Sequence, residues 1–393
     1  MGPFQDVLEP SQIQRDAAAA LDGVPIAASL TPNSAAQVAA CLSAARRSGI
    51  AIQLTGAGTK IGRGNRPAVG SIVQLSTCEL RDPMSIQAAE GVASFGAGLK
   101  VAEVDAACRA QGMTTRLAWA NPAASVGGTI AVEPPTPEQA PTRRLRDDLL
   151  GLEVALVDGS LTHCGGSVVK NVTGFDLVRL YCGSHGTLGA ITSANLRLRP
   201  LPETEVALSR EYPTVEDACA ALASLRRAPA AALLHPLASG GAILSWKLEG
   251  VPDEVQSARD ELSGDSLDGA VWAETRAAGV AEYSNPGGRA VAWLCAQPSQ
   301  TGQLIAAAGQ HWIAALPLSG AVRALIPADE LSALYDLCRR ENWLITLEVA
   351  VPEIKAKFDV FGNEPESLPL MRALKQRFDA DGTLAPGRFL GGL

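Results

Sequence analysis

The chain has no basic excess, few aromatic residues and no paired cysteine motif, and each shortage closes off a class of function. Lys and Arg number 33 against 41 Asp and Glu, giving a formal charge of −8 and a pI near 5.2. Binding a nucleic-acid backbone needs a clustered excess of cations, so no nucleic-acid partner is expected. The one basic run, Arg143, Arg144 and Arg146, is followed at once by Asp147 and Asp148 and reads as a solvated loop face. Eight cysteines (Cys41, Cys78, Cys108, Cys164, Cys182, Cys219, Cys295, Cys338) are scattered without a C-x-x-C pair, which offers neither a zinc knuckle nor an iron–sulfur cradle. They read as small buried hydrophobes of a reducing compartment. The four histidines, His163, His185, His235 and His311, show no metal-ligand spacing, so no metal site is expected. No stretch reaches the roughly 20 uninterrupted apolar residues that span a bilayer. The N-terminal MGPFQDVLEPSQIQRD lacks the basic region and apolar run of a secretion signal. The expected location is the cytoplasm, with the inner face of the membrane reached only through a partner chain and no direct insertion.

What is abundant is glycine, 38 residues, within a composition that is 47% hydrophobic. A chain of 393 residues is long for one domain, so two lobes are expected. Ser34 with Gln37 three residues on reads as a capping box. Val38, Cys41, Leu42 and Ala45 then line one helical face until Gly49. Strands are expected at 50–54, 71–75, 86–89 and 190–198, and helices at 100–111 and 177–181. Alternation over 151–157 before Asp158-Gly159 signals a hairpin. Beyond Pro200–Pro202 the texture changes to strands at 231–237, 242–248, 290–295 and 343–349 among helices at 214–227, 252–263 and 328–340. Residues 365–393 read as a helix with Met371, Leu374 and Phe378 on one face, followed by a glycine- and proline-rich tail.

Four glycine-rich clusters fall within the first half: 56–64 (GAGTKIGRG), 91–98 (GVASFGAG), 123–128 (AASVGG) and 183–189 (GSHGTLG). Glycine at the ends of elements lets backbone N–H groups converge on an anion, as the pyrophosphate of a dinucleotide requires. Singly each is a turn; together they indicate a dinucleotide site. The pattern is not that of a Rossmann fingerprint, because Gly56-Ala57-Gly58 continues Thr59-Lys60-Ile61-Gly62, and no G-K-[ST] of a P-loop occurs.

Taken in order, T-G-A-G-T-K at 55–60, A-S-V-G-G at 124–128, R-D-D-L-L-G at 146–151, G-G-S-V-V-K-N-V-T-G-F-D-L at 165–177, G-S-H-G-T-L-G-A-I-T at 183–192 and F-D-A-D-G-T-L-A-P-G-R at 378–388 resemble the FAD-binding module of the vanillyl-alcohol oxidase/para-cresol methylhydroxylase superfamily. K-N-V-T-G-F-D-L and the compact length are most similar to the FAD-binding subunits of bacterial glycolate oxidases (glycolate dehydrogenases). The resemblance implies an α+β fold: a two-part PCMH-type FAD-binding domain at 1–202, a smaller α/β cap at 203–365, and a segment at 366–393 returning to the FAD domain.

The same resemblance implies roles for residues. Gly56, Ala57, Gly58, Thr59 and Lys60, with Ala124, Ser125, Val126, Gly127 and Gly128, would cradle the pyrophosphate. Arg146 and Asp147 would brace the loop beside the cofactor. Gly186, Thr187, Leu188, Gly189 and Ile191 would line the adenosine side, and Lys170, Asn171 and Gly174 would pass the isoalloxazine. Arg388 would either face the pyrimidine edge or close a C-terminal turn at the surface. The first loop lacks His and Cys, so the FAD is expected to be non-covalent; spacing alone leaves Cys78 and Cys164 open as attachment points. The proline-rich stretch after Gly128 and Ala385, where the family's closing motif has Asn, depart from the pattern.

No catalytic residue emerges. Relatives that oxidise 2-hydroxy acids carry a histidine-rich stretch in the second lobe, absent from 203–365. His235 and His311 sit in apolar contexts, and His185 reads as a packing or dinucleotide contact. Three functions compete. The first is an FAD subunit of a multi-subunit 2-hydroxy-acid dehydrogenase, working with a catalytic flavoprotein subunit and an iron–sulfur subunit and meeting its small-molecule substrate indirectly. The second is a self-sufficient FAD-dependent oxidoreductase for a small alcohol or D-2-hydroxy acid. The third is a flavin-free structural protein.

Overall fold

A computed structural model describes residues 2–15, 19–167, 176–280 and 287–393. The chain divides into two compact units: 1–134 with 145–201 and 355–393, and 135–144 with 202–354. The bounds differ from the expected 1–202, 203–365 and 366–393 by one residue at Pro202 and by whole segments at two further places. The proline-rich segment 135–144 belongs to the second unit, where Pro137 O accepts from Ala232 N (3.1 Å). Residues 355–365 belong to the first, where Lys355 is bonded to Asp22 and Gly62.

Among its described residues the first unit holds two five-stranded sheets and a two-stranded one, Met113–Thr114 with Arg199–Pro200. In one five-stranded sheet, Val24–Leu30 and Ile52–Thr55 flank Ile72–Ser76 in parallel, and Ile13–Gln14 and Ala20–Leu21 pair with Val24–Leu30 antiparallel. The other five-stranded sheet is antiparallel, in the order Leu161–Gly165, Leu149–Ala155, Ala190–Arg197, Val92–Gly96, Met84–Gln87. The helix Ala35–Arg47 starts where the Ser34 Oγ accepts from Gln37 N (3.3 Å) and stops before Gly49, whose φ of +63° suits glycine. Its Val38, Cys41 and Leu42 share one core with Leu30, Ile52 and Leu75 of the first sheet and Phe95, Leu152 and Leu196 of the second. The hairpin at Asp158-Gly159 forms as expected, with Gly159 at φ +90°. The last residues complete the first sheet: Ile52 N donates to Thr383 O (2.7 Å) and Ala385 N donates to Ile52 O (2.8 Å).

The second unit is one eight-stranded antiparallel sheet in the order Asp265–Leu267, Thr204–Tyr212, Ala242–Gly250, Ala231–Pro236, Trp312–Leu316, Ala321–Pro327, Arg289–Cys295, Leu344–Val349, with helices among its strands. Its pairings are antiparallel throughout. Within it, Arg323 is wholly buried. Its guanidinium meets Glu348 Oε2 through Nε (2.9 Å) and an η nitrogen (2.7 Å), and the Trp293 indole N–H donates to the same oxygen (3.0 Å).

Candidate functional site

Three of the four glycine-rich loops are linked in the first unit, and the fourth packs beneath them through Ala97, whose carbonyl accepts from Gly127 N (2.9 Å). The loop after Ile52–Thr55 lies against Ser125, whose Oγ accepts from Ala57 N and from Gly128 N, both at 3.3 Å. The second bond caps the helix Val126–Val132. Glycine at 56 makes room for Ser125, since an added Cβ would stand 1.9 Å from the Ser125 Oγ. Gly127 is held as tightly, its virtual Cβ 2.8 Å from that of Ala97. The loop 183–189 joins the end of the same helix: Gly183 N donates to Ile130 O (3.0 Å) and His185 N to Ala131 O (2.9 Å). Gly186, at φ +72°, lies against Leu54.

These close approaches link the backbone of positions 56–58, 124–128 and 183–186. At Gly58 and Gly62 an added Cβ would meet nothing in the chain within 4 Å. Gly58 needs glycine for its φ of +78°; at Gly62 the bare backbone simply faces open space. A diphosphate needs amide-rich backbone reached without interposed side chains, and this region fits that need.

The other expected site residues are placed less directly. Val126, Leu188 and Ile191 turn into the core, and the Thr187 hydroxyl donates to Ser184 O (2.7 Å). Gly189 packs on Val154, and Ala124 packs with Val101 and Ala120. What these positions can offer a dinucleotide is backbone. Thr59 and Lys60 continue the first loop. Arg146 is ion-paired with Glu133, which holds the guanidinium pKa above its usual value, and its backbone N–H donates to the same carboxylate (3.3 Å). Asp147 faces Arg116 (3.6 Å) and Arg179 (3.8 Å). The stretch carrying Lys170, Asn171 and Gly174 lies outside the described residues.

Arg388 is neither at the surface nor free to turn outward. It is 4% exposed, and its two η nitrogens reach Asp22 Oδ2 (3.0 Å) and the carbonyls of Asn65 (3.1 Å), Ile61 (2.6 Å) and Arg63 (2.8 Å). This corrects the expected surface placement, because a guanidinium so engaged braces the first loop from within. His185, at φ +53°, packs its ring against Phe361 (centroids 4.9 Å apart) and Phe389 (5.4 Å). Burial, with Arg63 and Arg388 adding to it, holds the imidazole well below its ordinary pKa and therefore neutral. The ring packs, as a core histidine does. Cys164 lies in the core with its thiol pKa raised by burial. Residues 91–98 serve packing: an added Cβ at Gly96 would lie 2.4 Å from Leu80 O.

The buried ion pairs were not singled out in the sequence. Asp148 is wholly buried and held by Arg199 (3.0 and 2.7 Å) and Arg116 (3.4 Å). Lys375 binds the buried Asp379 (2.6 Å), whose carboxylate also accepts from Thr383 N and Leu384 N. Among the described residues, no cluster of three His, Cys, Asp or Glu is arranged to hold a metal, and no helix is long and apolar enough to cross a membrane.

Comparison with known proteins bears on this geometry. Residues 26–165 match the family model of an FAD binding domain. The chain is 29% identical over 273 residues to the glycolate oxidase subunit GlcE of Escherichia coli, a match covering 67% of this chain and 71% of that one. It is 33% identical over 187 residues to a D-lactate dehydrogenase of Archaeoglobus fulgidus, covering 48% of this chain but 42% of the relative's length. Among solved structures, p-cresol methylhydroxylase with substrate bound superposes with a TM-score of 0.74 at 15% identity, over 98% of this chain and 95% of that one. Alkyldihydroxyacetonephosphate synthase superposes with a TM-score of 0.72 at 14% identity, over 98% and 84%. The fold is therefore that of the PCMH-type FAD-binding proteins. Residues 26–165 are thus an FAD-binding domain with FAD as the cofactor, in a chain similar to flavin-dependent oxidases and dehydrogenases.

Proposed function

We propose that this chain is the FAD-binding subunit of a multi-subunit 2-hydroxy-acid dehydrogenase, oxidising glycolate to glyoxylate together with a catalytic flavoprotein paralogue and an iron–sulfur subunit. One observation carries the reading. The 273-residue similarity to the glycolate oxidase subunit is longer than the 201 residues that precede the main part of the second unit, so it reaches into both units. The match to D-lactate dehydrogenase, at 187 residues, is shorter than those 201.

FAD supplies a two-electron acceptor for the hydride leaving the hydroxyl-bearing carbon. The chain's own contribution is positional. Ser125 locks the 56–58 and 124–128 loops together, Arg388 fixes the continuation of the first loop, and the helix end at Ile130 and Ala131 fixes the 183–185 backbone. The FAD is held without a covalent bond, consistent with a first loop that has neither His nor Cys.

Co-expression with a larger flavoprotein and a cysteine-rich iron–sulfur protein tests the proposal. The expected result is copurification and dye reduction by glycolate that needs all three chains. Robust turnover of glycolate or D-lactate by this chain alone would replace it with the second reading, a self-sufficient oxidoreductase, which the D-lactate dehydrogenase similarity favours. Acid precipitation should leave the yellow colour in the supernatant; colour retained in the pellet would overturn the non-covalent assignment.

A further inference from the structure

Beneath the first loop lies a cluster of charge assembled from three distant parts of the chain. Asp22, itself at φ +49°, receives Lys355 Nζ on both carboxylate oxygens (2.8 and 2.9 Å) and Arg388 on Oδ2 (3.0 Å). Both cations are almost completely buried, with side-chain exposures of 2% and 4%. Two cations face one anion, so the cluster carries a net positive charge that burial makes unfavourable unless further acceptors surround it.

Those acceptors are four carbonyls of one loop. Lys355 Nζ takes Gly62 O (2.6 Å), and Arg388 takes Ile61 O, Arg63 O and Asn65 O. In a trans peptide the N–H points opposite to the C=O. Drawing the oxygens of residues 61, 62, 63 and 65 onto the cations therefore turns the following amides away from the cluster. Arg63 N closes a turn on Lys60 O (3.0 Å). By that peptide geometry the amides of Gly62 and the buried Gly64 point away from the cluster, and Gly62 borders open space, as the empty surroundings of its virtual Cβ show. Gly64, at φ +124°, approaches Arg388 so closely that an added Cβ would stand 2.9 Å from the Arg388 carbonyl.

We propose that Asp22, Lys355 and Arg388 are positioning residues of the FAD site: they pull the carbonyls of 61–65 inward and so present the amides of Gly62 and Gly64 to the diphosphate of the cofactor. The amide array would extend past the 56–60 loop and would be set by groups that never touch the ligand. The fork of Arg388 matters as much as its charge, because its two η nitrogens reach four acceptors, which a single ammonium cannot do.

The proposal rests on the FAD reading, and two measurements separate the two. The first is hydrogen exchange of the FAD-free full chain: Arg388→Met should speed exchange of the 56–66 amides while exchange in the second sheet of the first unit stays unchanged. The second is FAD titration by fluorescence, where Arg388→Met should raise the dissociation constant about tenfold or more. Arg388→Lys should recover little of that loss. Gly62→Ala, whose methyl meets nothing in the chain, should leave the unfolding transition in place and still weaken FAD. Should Arg388→Met fail to fold, Arg388→Lys and Lys355→Gln take its place under the same criteria. Unchanged exchange at 56–66, unchanged FAD affinity in folded variants, or wild-type affinity in Arg388→Lys would each overturn the proposal. A wild-type chain that binds no FAD would overturn the FAD reading instead, and the exchange arm would still report on the brace.

Discussion

Lys375 and Thr187 are joined across 188 residues of chain, the Lys375 ammonium donating to the Thr187 carbonyl at 2.9 Å. The same ammonium holds Asp379 (2.6 Å) and Leu384 O (2.8 Å), so one cation links the 183–189 loop, the helix Leu368–Phe378 and the segment returning to the first sheet. Lys375→Met would leave Asp379 buried without its counter-charge, at a cost of about 3 kcal/mol. Urea denaturation of the FAD-free protein measures it. A loss under about 1 kcal/mol would mean that Asp379 is held well enough by the Thr383 and Leu384 amides alone.

His185 predicts an acid-side loss of stability. The unfolded chain takes up a proton near pH 6.5 that the folded ring resists, its pKa being held down by burial and by Arg63 and Arg388. Stability from this group is therefore complete above that pH. It declines by about 1.4 kcal/mol per pH unit below it, until the folded ring protonates. His235, also lowered by burial, acts in the same direction. His185→Asn, which tolerates the positive φ, should flatten the slope between pH 6.5 and 5 relative to wild type. Parallel slopes in the two proteins would show that the imidazole is not the group responsible.

Gly56→Ala should uncouple the first two loops, since its methyl would overlap the Ser125 hydroxyl. Ser125→Ala, which removes the shared acceptor and the helix cap, should cost about 1 kcal/mol. The double variant Gly56→Ala/Ser125→Gly should be less damaged than the sum of its single changes, because the clash needs both side chains. Additive losses in denaturation and in FAD affinity would mean that the loops are not in contact.

In the second unit, Arg323→Met or Glu348→Leu alone should destabilise by about 3–5 kcal/mol, each leaving a buried charge behind. The pair Arg323→Met with Glu348→Leu should recover most of that loss, apart from the indole N–H of Trp293, which loses its acceptor. A double variant no better than either single change would refute the pairing.

The sequence was most informative where structure is local. Ser34, the face of Val38, Cys41 and Leu42, and Gly49 mark the helix Ala35–Arg47 within a residue or two, since cap, period and stop all lie within 16 positions. The glycine clusters pointed to backbone convergence, and three of them are linked, with the fourth packed beneath. The strands Trp312–Leu316 and Ala321–Pro327 were not foreseen because WIAAL and AVRALI are buried on both faces and show no alternation. Residues 135–144 were expected within 1–202, yet Glu138 pairs with Arg276 inside the second unit. Arg388 was visible as a motif residue, but its work depends on Asp22 and Lys355. No periodicity connects positions 333 residues apart, and such a cluster exists only once the chain has closed on itself.

The pairing of Ile52 with Thr383 and Ala385 also fixes an order of events during synthesis. Ile52 leaves the ribosome long before its neighbours at 383–385 have been translated, so the first sheet must wait, one edge open, while the whole second unit is made. Loading of the cofactor into the first unit then belongs after release of the nascent chain, and ribosome-stalled chains ending before residue 383 should carry no flavin.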